Sequence, residues 1–150
     1  MKKLAIIMSL LCLTGLLPLF AKPMLAPTKD QALNVPFIAI AEYIGYKSEG
    51  KVGYFNGPIA RYRIIRLLKG DNLPEVLDLR YDFTDGSACL AEAGWKFTED
   101  LMPKKSSRWI LFLEKDAQMK YWTTYRGTFG RWDASSGNIQ EVESALSRIK

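Results

Sequence analysis

A strict alternation of apolar and polar residues over positions 76–83 is the feature that most constrains the fold. Its apolar side carries Leu77, Leu79, Tyr81 and Phe83, and its polar side carries Asp78, Arg80 and Asp82. Successive side chains of a strand point to opposite faces of a sheet, so a period of two predicts a strand with one buried and one wet face. Further strands and a second layer must then cover the apolar face.

Five further stretches are rich in residues that favour strands. They cover residues 37–46, 59–68, 109–113, 119–126 and 128–132, the last being short. The first is apolar throughout, which predicts a strand buried on both faces. The second alternates until Ile64-Ile65, where the pattern slips by one residue and predicts a β-bulge. Loops are expected at residues 47–58 and 84–107.

Two helices complete the predicted elements. Residues 87–93 predict a short internal helix that ends at Gly94. Near the C-terminus, Asn138 is a suitable N-cap and Glu141 follows three residues later, as in a capping box. An apolar stripe at helical spacing follows, formed by Ile139, Val142, Leu146 and Ile149. We therefore predict a mainly β fold, a small OB-like barrel of five to six strands with a C-terminal amphipathic helix.

The N-terminus has the three-part pattern of a secretory signal peptide. Two lysines precede an uncharged apolar run over residues 4–17, Pro18 breaks the run, and Ala21 is the small residue after which a signal peptidase would cut. We predict a signal peptide over residues 1–21 and a secreted or periplasmic protein. A retained membrane anchor and lipidation at Cys12 are the alternatives, and the cleavage pattern favours removal of the segment.

The remaining chain shows no internal repeat or linker. Residues 22–36 are punctuated by proline and predict an irregular lead-in, and residues 37–150 predict a single domain. No membrane span is expected after removal of the signal. Two of the chain's 21 basic residues lie in the signal, and 16 acidic residues oppose the rest, so the charge is only mildly basic. Nucleic acid is therefore not the expected partner.

Residue types that are missing exclude several chemistries. The chain has no histidine, which removes the commonest general base and the commonest transition-metal ligand. Only Cys89 lies outside the signal, so an internal disulfide and a zinc site with several Cys or His ligands are excluded. We expect Cys89 to be buried or to form an intermolecular disulfide, and we predict no metal and no cofactor.

The densest unusual stretch is residues 121–132, which holds five aromatic residues and two arginines. Aromatic faces beside arginines can stack sugars, bases or peptide side chains. The alternative is that the aromatic residues fill the core and the arginines point to water. The candidate ligand-binding residues are Tyr121, Trp122, Tyr125, Arg126, Arg131 and Trp132.

Three carboxylates, those of Asp78, Asp82 and Asp85, lie around one strand end. A pair of them could perform acid–base chemistry or bind Ca²⁺, whereas a solvated charged face is the alternative. No nucleophile elbow, glycine-rich phosphate loop or His-Glu-x-x-His helix is present. We assign no catalytic residue.

Four short phrases between residues 37 and 114 form one pattern. They are Ala39-x-Ala41-Glu42-Tyr43-Ile44-Gly45, Tyr62-Arg63-Ile64-x-Arg66-Leu67-Leu68-Lys69-Gly70, the pair Cys89 and Gly94, and Trp109-Ile110-Leu111-Phe112-Leu113. The pattern resembles exported bacterial domains related to the OB-fold (netrin-like) domain of tissue inhibitors of metalloproteinases. The resemblance implies an OB-like barrel. Those inhibitors chelate zinc through an N-terminal cysteine held by disulfides, which this chain lacks, so the resemblance does not imply that activity.

The sequence thus predicts an exported, non-enzymatic binding module with an unknown protein or glycan partner. Two alternatives remain. One is a hydrolase that uses the three carboxylates on an extracytoplasmic substrate. The other is a secreted inhibitor or structural subunit joined to its partner through Cys89.

Overall fold

The computed structural model describes residues 28–83, 94–115 and 120–149. Within these residues the fold is mainly β, as the sequence predicts, with one six-stranded antiparallel sheet and two helices. The strands are β1 (Phe37–Lys47), β2 (Ile59–Lys69), β3 (Val76–Arg80), β4 (Arg108–Glu114), β5 (Thr123–Thr124) and β6 (Arg131–Asp133). The helices are α1 (Lys29–Ala32) and α2 (Ser136–Ile149), and 3-10 turns occur at Glu99–Leu101 and Gly127–Gly130.

The sheet has the strand order β3-β2-β1-β4-β5, and β6 pairs with β4 beside β5. Its two outer strands approach each other at one point, where Trp122 forms a parallel bridge with Leu79. The Arg80 N–H donates to the Trp122 carbonyl at 2.8 Å, and the Trp122 N–H donates to the Asp78 carbonyl at 3.1 Å. The backbone before β5 is therefore fixed against β3.

β1 is buried on both faces, which confirms the prediction for this stretch. Alternate side chains along the strand enter two separate clusters. The main cluster contains Ala39, Ala41, Tyr43, Ala60, Tyr62, Leu77, Leu79, Tyr81, Met102, Leu111 and Leu113. The helix-side cluster contains Ala32, Leu33, Val35, Ile38, Ile40, Ile110, Phe112, Val142 and Ala145. The sheet thus separates a large aromatic-rich core from a second layer formed by the helices.

The predicted β-bulge in β2 is confirmed. Ile40 pairs with Arg66 and Ala41 pairs with Ile64, so Ile65 has no partner in the β1–β2 ladder. Its side chain is 44% exposed. An extra residue on one strand reverses the face of every side chain beyond it, which explains why the alternation of the sequence slips at this point.

The helical layer begins earlier along the chain than the sequence suggested. Residues 28–36 were expected to be irregular, but α1 forms there, and Ala32, Leu33 and Val35 are buried against α2 and the sheet. The side chain of Gln31 accepts a hydrogen bond from the Thr28 N–H at 3.1 Å and closes the first turn. Burial of three apolar residues outweighs the weak local helix propensity of this short segment.

The start of α2 corrects the predicted cap. The helix begins at Ser136, and the carbonyl and hydroxyl of Ser135 accept the N–H groups of Ile139 (3.0 Å) and Asn138 (3.4 Å). Ser135 therefore occupies the N-cap position that the sequence assigned to Asn138, and both residue types suit that role. The predicted stripe holds at Val142, which is 1% exposed, whereas Ile149 is 60% exposed.

The predicted strands at 119–126 and 128–132 are shorter in the structure. Among the described residues of these two stretches, only Thr123–Thr124 and Arg131–Asp133 pair as strands. Arg126 and Gly127 have φ values of 45° and 60°, and this left-handed pair turns the chain into the 3-10 turn that follows. The predicted internal helix at residues 87–93 lies outside the described residues.

Candidate binding surface

The pairing of β2 with β3 brings opposite charges together on the outer face of the sheet. Arg61 lies directly opposite Asp78 in the antiparallel register. Directly opposed residues point to the same face, so their side chains meet. The Arg61 Nε donates to Asp78 Oδ1 at 3.1 Å. The alternation of both strands thus places this pair outside while Tyr62 and Leu77 fill the main cluster.

Lys47, at the end of β1, extends this pair towards the loop that follows. Its Nζ donates to Asp78 Oδ2 at 2.9 Å and lies 3.3 Å from Glu49 Oε1. Both carboxylate oxygens of Asp78 are therefore occupied by cations. Glu49 belongs to the loop between β1 and β2, so the ion pairs join that loop to the sheet.

Tyr121 joins the segment before β5 to the same place. Its hydroxyl donates a short hydrogen bond to Glu49 Oε2. Three cations surround its ring, with Lys120 at 5.1 Å, Arg80 at 5.7 Å and Lys47 at 5.8 Å from the centroid. Cations at such distances are attracted to the ring face. We call the set Lys47, Glu49, Arg61, Asp78, Arg80, Lys120 and Tyr121 the loop-junction cluster.

Hydrogen bonds keep the ionisable groups of this cluster charged. The bond to Asp78 raises the pKa of Lys47, and the bond from Tyr121 lowers the pKa of Glu49. A hydrogen bond with Tyr121 also raises the pKa of Lys120. Because these groups face solvent, screening keeps each ion pair weak. Four cations face two carboxylates, so the surface is positive at neutral pH and its ion pairs can exchange with a ligand.

A row of aromatic side chains extends from the loop between β1 and β2 to the main cluster, on which Tyr46, Phe83 and Phe97 pack. Edge-to-face or tilted contacts at 5.2–6.0 Å connect Phe55, Tyr54, Trp95, Phe83, Phe97 and Tyr46 in that order. We call this set the aromatic row. Phe55 is 53% exposed. The side chain of Asn56 accepts a short hydrogen bond from Arg80, which fixes the loop that carries Phe55 beside the cluster.

A close backbone approach holds the same loop in place. A Cβ atom at Gly57 would lie 1.8 Å from the carbonyl oxygen of Tyr81, so only glycine fits. The next residue, Pro58, accepts the Tyr81 N–H at 2.9 Å. The loop between β1 and β2 is therefore seated directly on the end of β3.

The six predicted ligand-binding residues do not form one groove. Tyr121 lies in the loop-junction cluster, and Trp122 packs edge-on against Phe37 at 5.3 Å within the main cluster. The four others lie elsewhere. Tyr125 and Trp132 pack on the helix-side cluster, Arg131 is only 8% exposed, and Arg126 is exposed. The alternation along this stretch sends neighbouring aromatic residues to opposite sides of the sheet.

The carboxylates considered for catalysis have different surroundings. Asp78 is held by two cations on the outer face. Burial raises the pKa of Asp82, and the nearby Arg131 and Arg80 charges oppose that effect. Asp85 and Cys89 lie outside the described residues. In the described part of the chain, no three Asp, Glu or Cys side chains are placed to hold a metal ion.

Sequence reasoning found only part of the loop-junction cluster. Asp78 and Arg80 were predicted on the wet face of their strand and Tyr121 was a candidate ligand-binding residue, but no local pattern shows that a loop glutamate and a distant tyrosine meet them. The usable signal was the polar face of residues 76–83, because the partner strand of such a face must present complementary charges across the register.

The sequence matches no protein-family model and no curated protein. Function is therefore inferred from the geometry of this surface. No helix in the described ranges is long and apolar enough to cross a membrane.

Proposed function

We propose that the protein is an exported, non-enzymatic binding module that binds an acidic glycan on the loop-junction cluster and the aromatic row. One observation carries this proposal. Two loops that are distant in sequence meet on the outer face of β2 and β3 and bring four cations together. One of these cations, Arg80, bonds Asn56, the residue that follows the exposed Phe55. Carboxylate or sulfate groups would pair with the cations, and a sugar ring would stack on Phe55.

The site is organised before a ligand arrives. Asp78 holds Arg61 and Lys47, and Asn56 holds Arg80, so these long side chains have already lost part of their rotamer freedom. A ligand then avoids that ordering cost on binding. Arg61 and Lys47 keep 51% and 42% of their side-chain surface exposed, which leaves donors for an acidic group.

The strand arrangement supports an OB-like barrel. β1, β2 and β3 form a meander, β4 returns beside the free side of β1, and the segment before β5 meets β3 in parallel. We infer that this contact closes the sheet into a barrel of the kind that the sequence resembles. In OB-fold barrels, the β2–β3 face and the loops joining β1 to β2 and β4 to β5 bind oligosaccharides or oligonucleotides. The loop-junction cluster occupies this face.

The proposed location is extracytoplasmic. It rests on the signal-peptide pattern of residues 1–21, with a lysine-rich start and a small residue at the cleavage site. A secreted or periplasmic domain would meet glycans of an envelope or an extracellular matrix, many of which carry carboxylate groups.

Calorimetric titration of the exported, purified protein with an oligogalacturonate and with a neutral oligosaccharide of the same length tests the proposal. Replacing both Arg61 and Arg80 by alanine should weaken binding to the acidic sugar by at least about tenfold, because two charge-assisted contacts are lost. Phe55→Ala should weaken it by a smaller factor.

Arg66 provides a matched control. It lies on the same strand as Arg61, and its side chain is 49% exposed, but it pairs with Glu143 of α2 at 2.8 Å, away from the cluster. Arg66→Ala should leave the affinity unchanged. Equal affinity for the two sugars, an equal loss in Arg66→Ala, or binding only to acidic peptides would contradict the proposal.

A further inference from the structure

Arg131 is a buried cation on the main-cluster side of the sheet. It lies directly opposite Leu111 in the β4–β6 register, and opposed residues point to the same face. Leu111 belongs to the main cluster, so Arg131 points into that core, whereas its neighbour Trp132 points to the helices. Only 8% of Arg131 is exposed.

The guanidinium group has a defined position but only part of its bonding capacity is used. Its Cζ atom lies 3.7 Å from the centroid of the Tyr81 ring, and Nη2 donates to the Asp82 carbonyl oxygen at 2.6 Å. Nη1 is buried and has no hydrogen-bond partner among the described residues. No described carboxylate oxygen comes within 4.0 Å of the guanidinium nitrogens.

A second unpartnered polar group lies in the same core. Tyr62 is fully buried, and its hydroxyl likewise has no partner in the described part of the chain. The two groups share one region of the core, because Tyr62 and the Tyr81 ring that Arg131 covers both belong to the main cluster. The Arg131 charge also opposes the burial that raises the pKa of Tyr62. The Asp82 carboxylate is the nearby opposite charge, but it forms no ion pair with Arg131 within 4.0 Å. Buried polar groups are almost always hydrogen-bonded, and a buried cation without a direct partner is destabilising.

We infer that Arg131 Nη1 and the Tyr62 hydroxyl bind a small inorganic anion, chloride or a halide of similar size, inside the core. The anion accepts hydrogen bonds from both groups and neutralises the arginine. Neither group belongs to the proposed glycan surface, so the two assignments are independent. The bound ion would contribute to the stability of the fold, not to recognition of the sugar.

Bromide provides a direct probe of this site. Crystals of the protein soaked in bromide and measured at the bromine absorption edge should show an anomalous peak within about 3.5 Å of Arg131 Nη1, which is hydrogen-bond reach for a large anion. Arg131→Met should remove the peak. Peaks at exposed lysines alone would overturn the inference.

Thermal unfolding in solution gives a second measurement. With ionic strength held constant by gluconate, the unfolding midpoint should rise with bromide concentration, because the ligand binds the folded state. Tyr62→Phe should weaken bromide binding about tenfold through loss of a bond to a charged acceptor.

Tyr46→Phe is the matched control, since the Tyr46 hydroxyl already donates to Glu99 at 2.8 Å. It should keep the bromide dependence of the parent protein. If Arg131→Met does not fold, the comparison of the two tyrosine variants still decides the question. A bromide dependence that is absent, or equal in Tyr62→Phe and the parent, would overturn the site.

Discussion

At the scale of single residues, Asp78 determines the geometry of the proposed binding surface. Its two carboxylate oxygens accept from Arg61 and Lys47, and its backbone carbonyl accepts the N–H of Trp122. One residue thereby connects β1, β2, β3 and the segment before β5. Its exposed ion pairs contribute little to stability, so we assign Asp78 mainly to the orientation of its cationic partners.

Buried tyrosine hydroxyls make the stability of the folded protein fall at alkaline pH. Burial raises the pKa of Tyr43 from 10.0 to about 12. Between these two pH values the unfolded chain loses the Tyr43 proton while the folded protein keeps it. The contribution of this hydroxyl to the free energy of unfolding is therefore complete below pH 10 and is lost as the pH rises to about 12. The free energy of unfolding should fall by about 1.4 kcal/mol per pH unit for this group.

Urea denaturation at several pH values between 9 and about 12 measures this slope. Tyr43→Phe should reduce the slope of the unfolding free energy against pH by about 1.4 kcal/mol per pH unit, because phenylalanine has no proton to lose. Identical slopes for Tyr43→Phe and the parent protein would show that this hydroxyl does not govern the alkaline transition.

At the scale of elements, β1 forms the centre of the molecule because both of its faces are covered. Ala39 and Ala41 face the main cluster, and Ile38 and Ile40 face the helices. The helical layer is therefore part of the core and not an appendage. Its contact with the sheet is made by the middle of α2, where Val142 and Ala145 are buried, and not by its C-terminal end.

Two substitutions in α2 test this distribution of contacts. Val142→Ala should lower the free energy of unfolding by about 2–3 kcal/mol, since it removes buried methyl groups and leaves a cavity. Ile149→Ala should change it by less than about 0.5 kcal/mol, because that side chain is mostly exposed. Chemical denaturation measures both. Equal losses would mean that the whole apolar stripe packs on the sheet.

The elements that the sequence predicted well have strong local patterns. The period of two at residues 76–83, the apolar run of β1 and the slip at Ile64-Ile65 all follow from side-chain alternation. The elements that it predicted poorly depend on distant partners. α1 is too short to be helical without the core that it covers, and the choice of Ser135 over Asn138 as N-cap depends on Asp133, which binds the Asn138 side chain.

At the scale of the whole molecule, the contact between β3 and the segment before β5 is where the proposed barrel would close and where an open sheet would end. Two backbone hydrogen bonds, between Arg80 and Trp122 and between Trp122 and Asp78, make this contact. In the proposed barrel, closure would remove the unpaired strand edges that favour aggregation. It would also fix the relative position of the two loops that carry the proposed binding surface.

Amide hydrogen exchange tests this closure. In a closed barrel, the amides of Arg80 and Trp122 should exchange as slowly as those in the middle of β1, because they open only with the sheet. The amide of Arg63 in β2 provides an internal reference for a paired strand. Exchange of Arg80 and Trp122 at the rate of exposed loop amides would show that the sheet is open at this edge.

The binding surface could be predicted from the sequence only in part. The polar face of β3 is visible in its alternation, and Tyr121 belongs to a stretch that stands out by composition. The meeting of Glu49 with Tyr121 is a long-range consequence of strand order, which the local pattern does not contain. Conversely, the density of aromatic residues at 121–132 suggested one binding face, although the pleat divides them between two packed clusters.

Chemical-shift mapping of the ¹⁵N-labelled protein during titration with an oligogalacturonate tests the central claim most directly. We predict that the perturbed amides concentrate at residues 47–56, at Arg61 and Arg80, and at residues 120–122, and that added salt suppresses the effect. Perturbations centred instead on Tyr125, Trp132 and α2, or no perturbation at low salt, would contradict the account of this surface as the glycan-binding site.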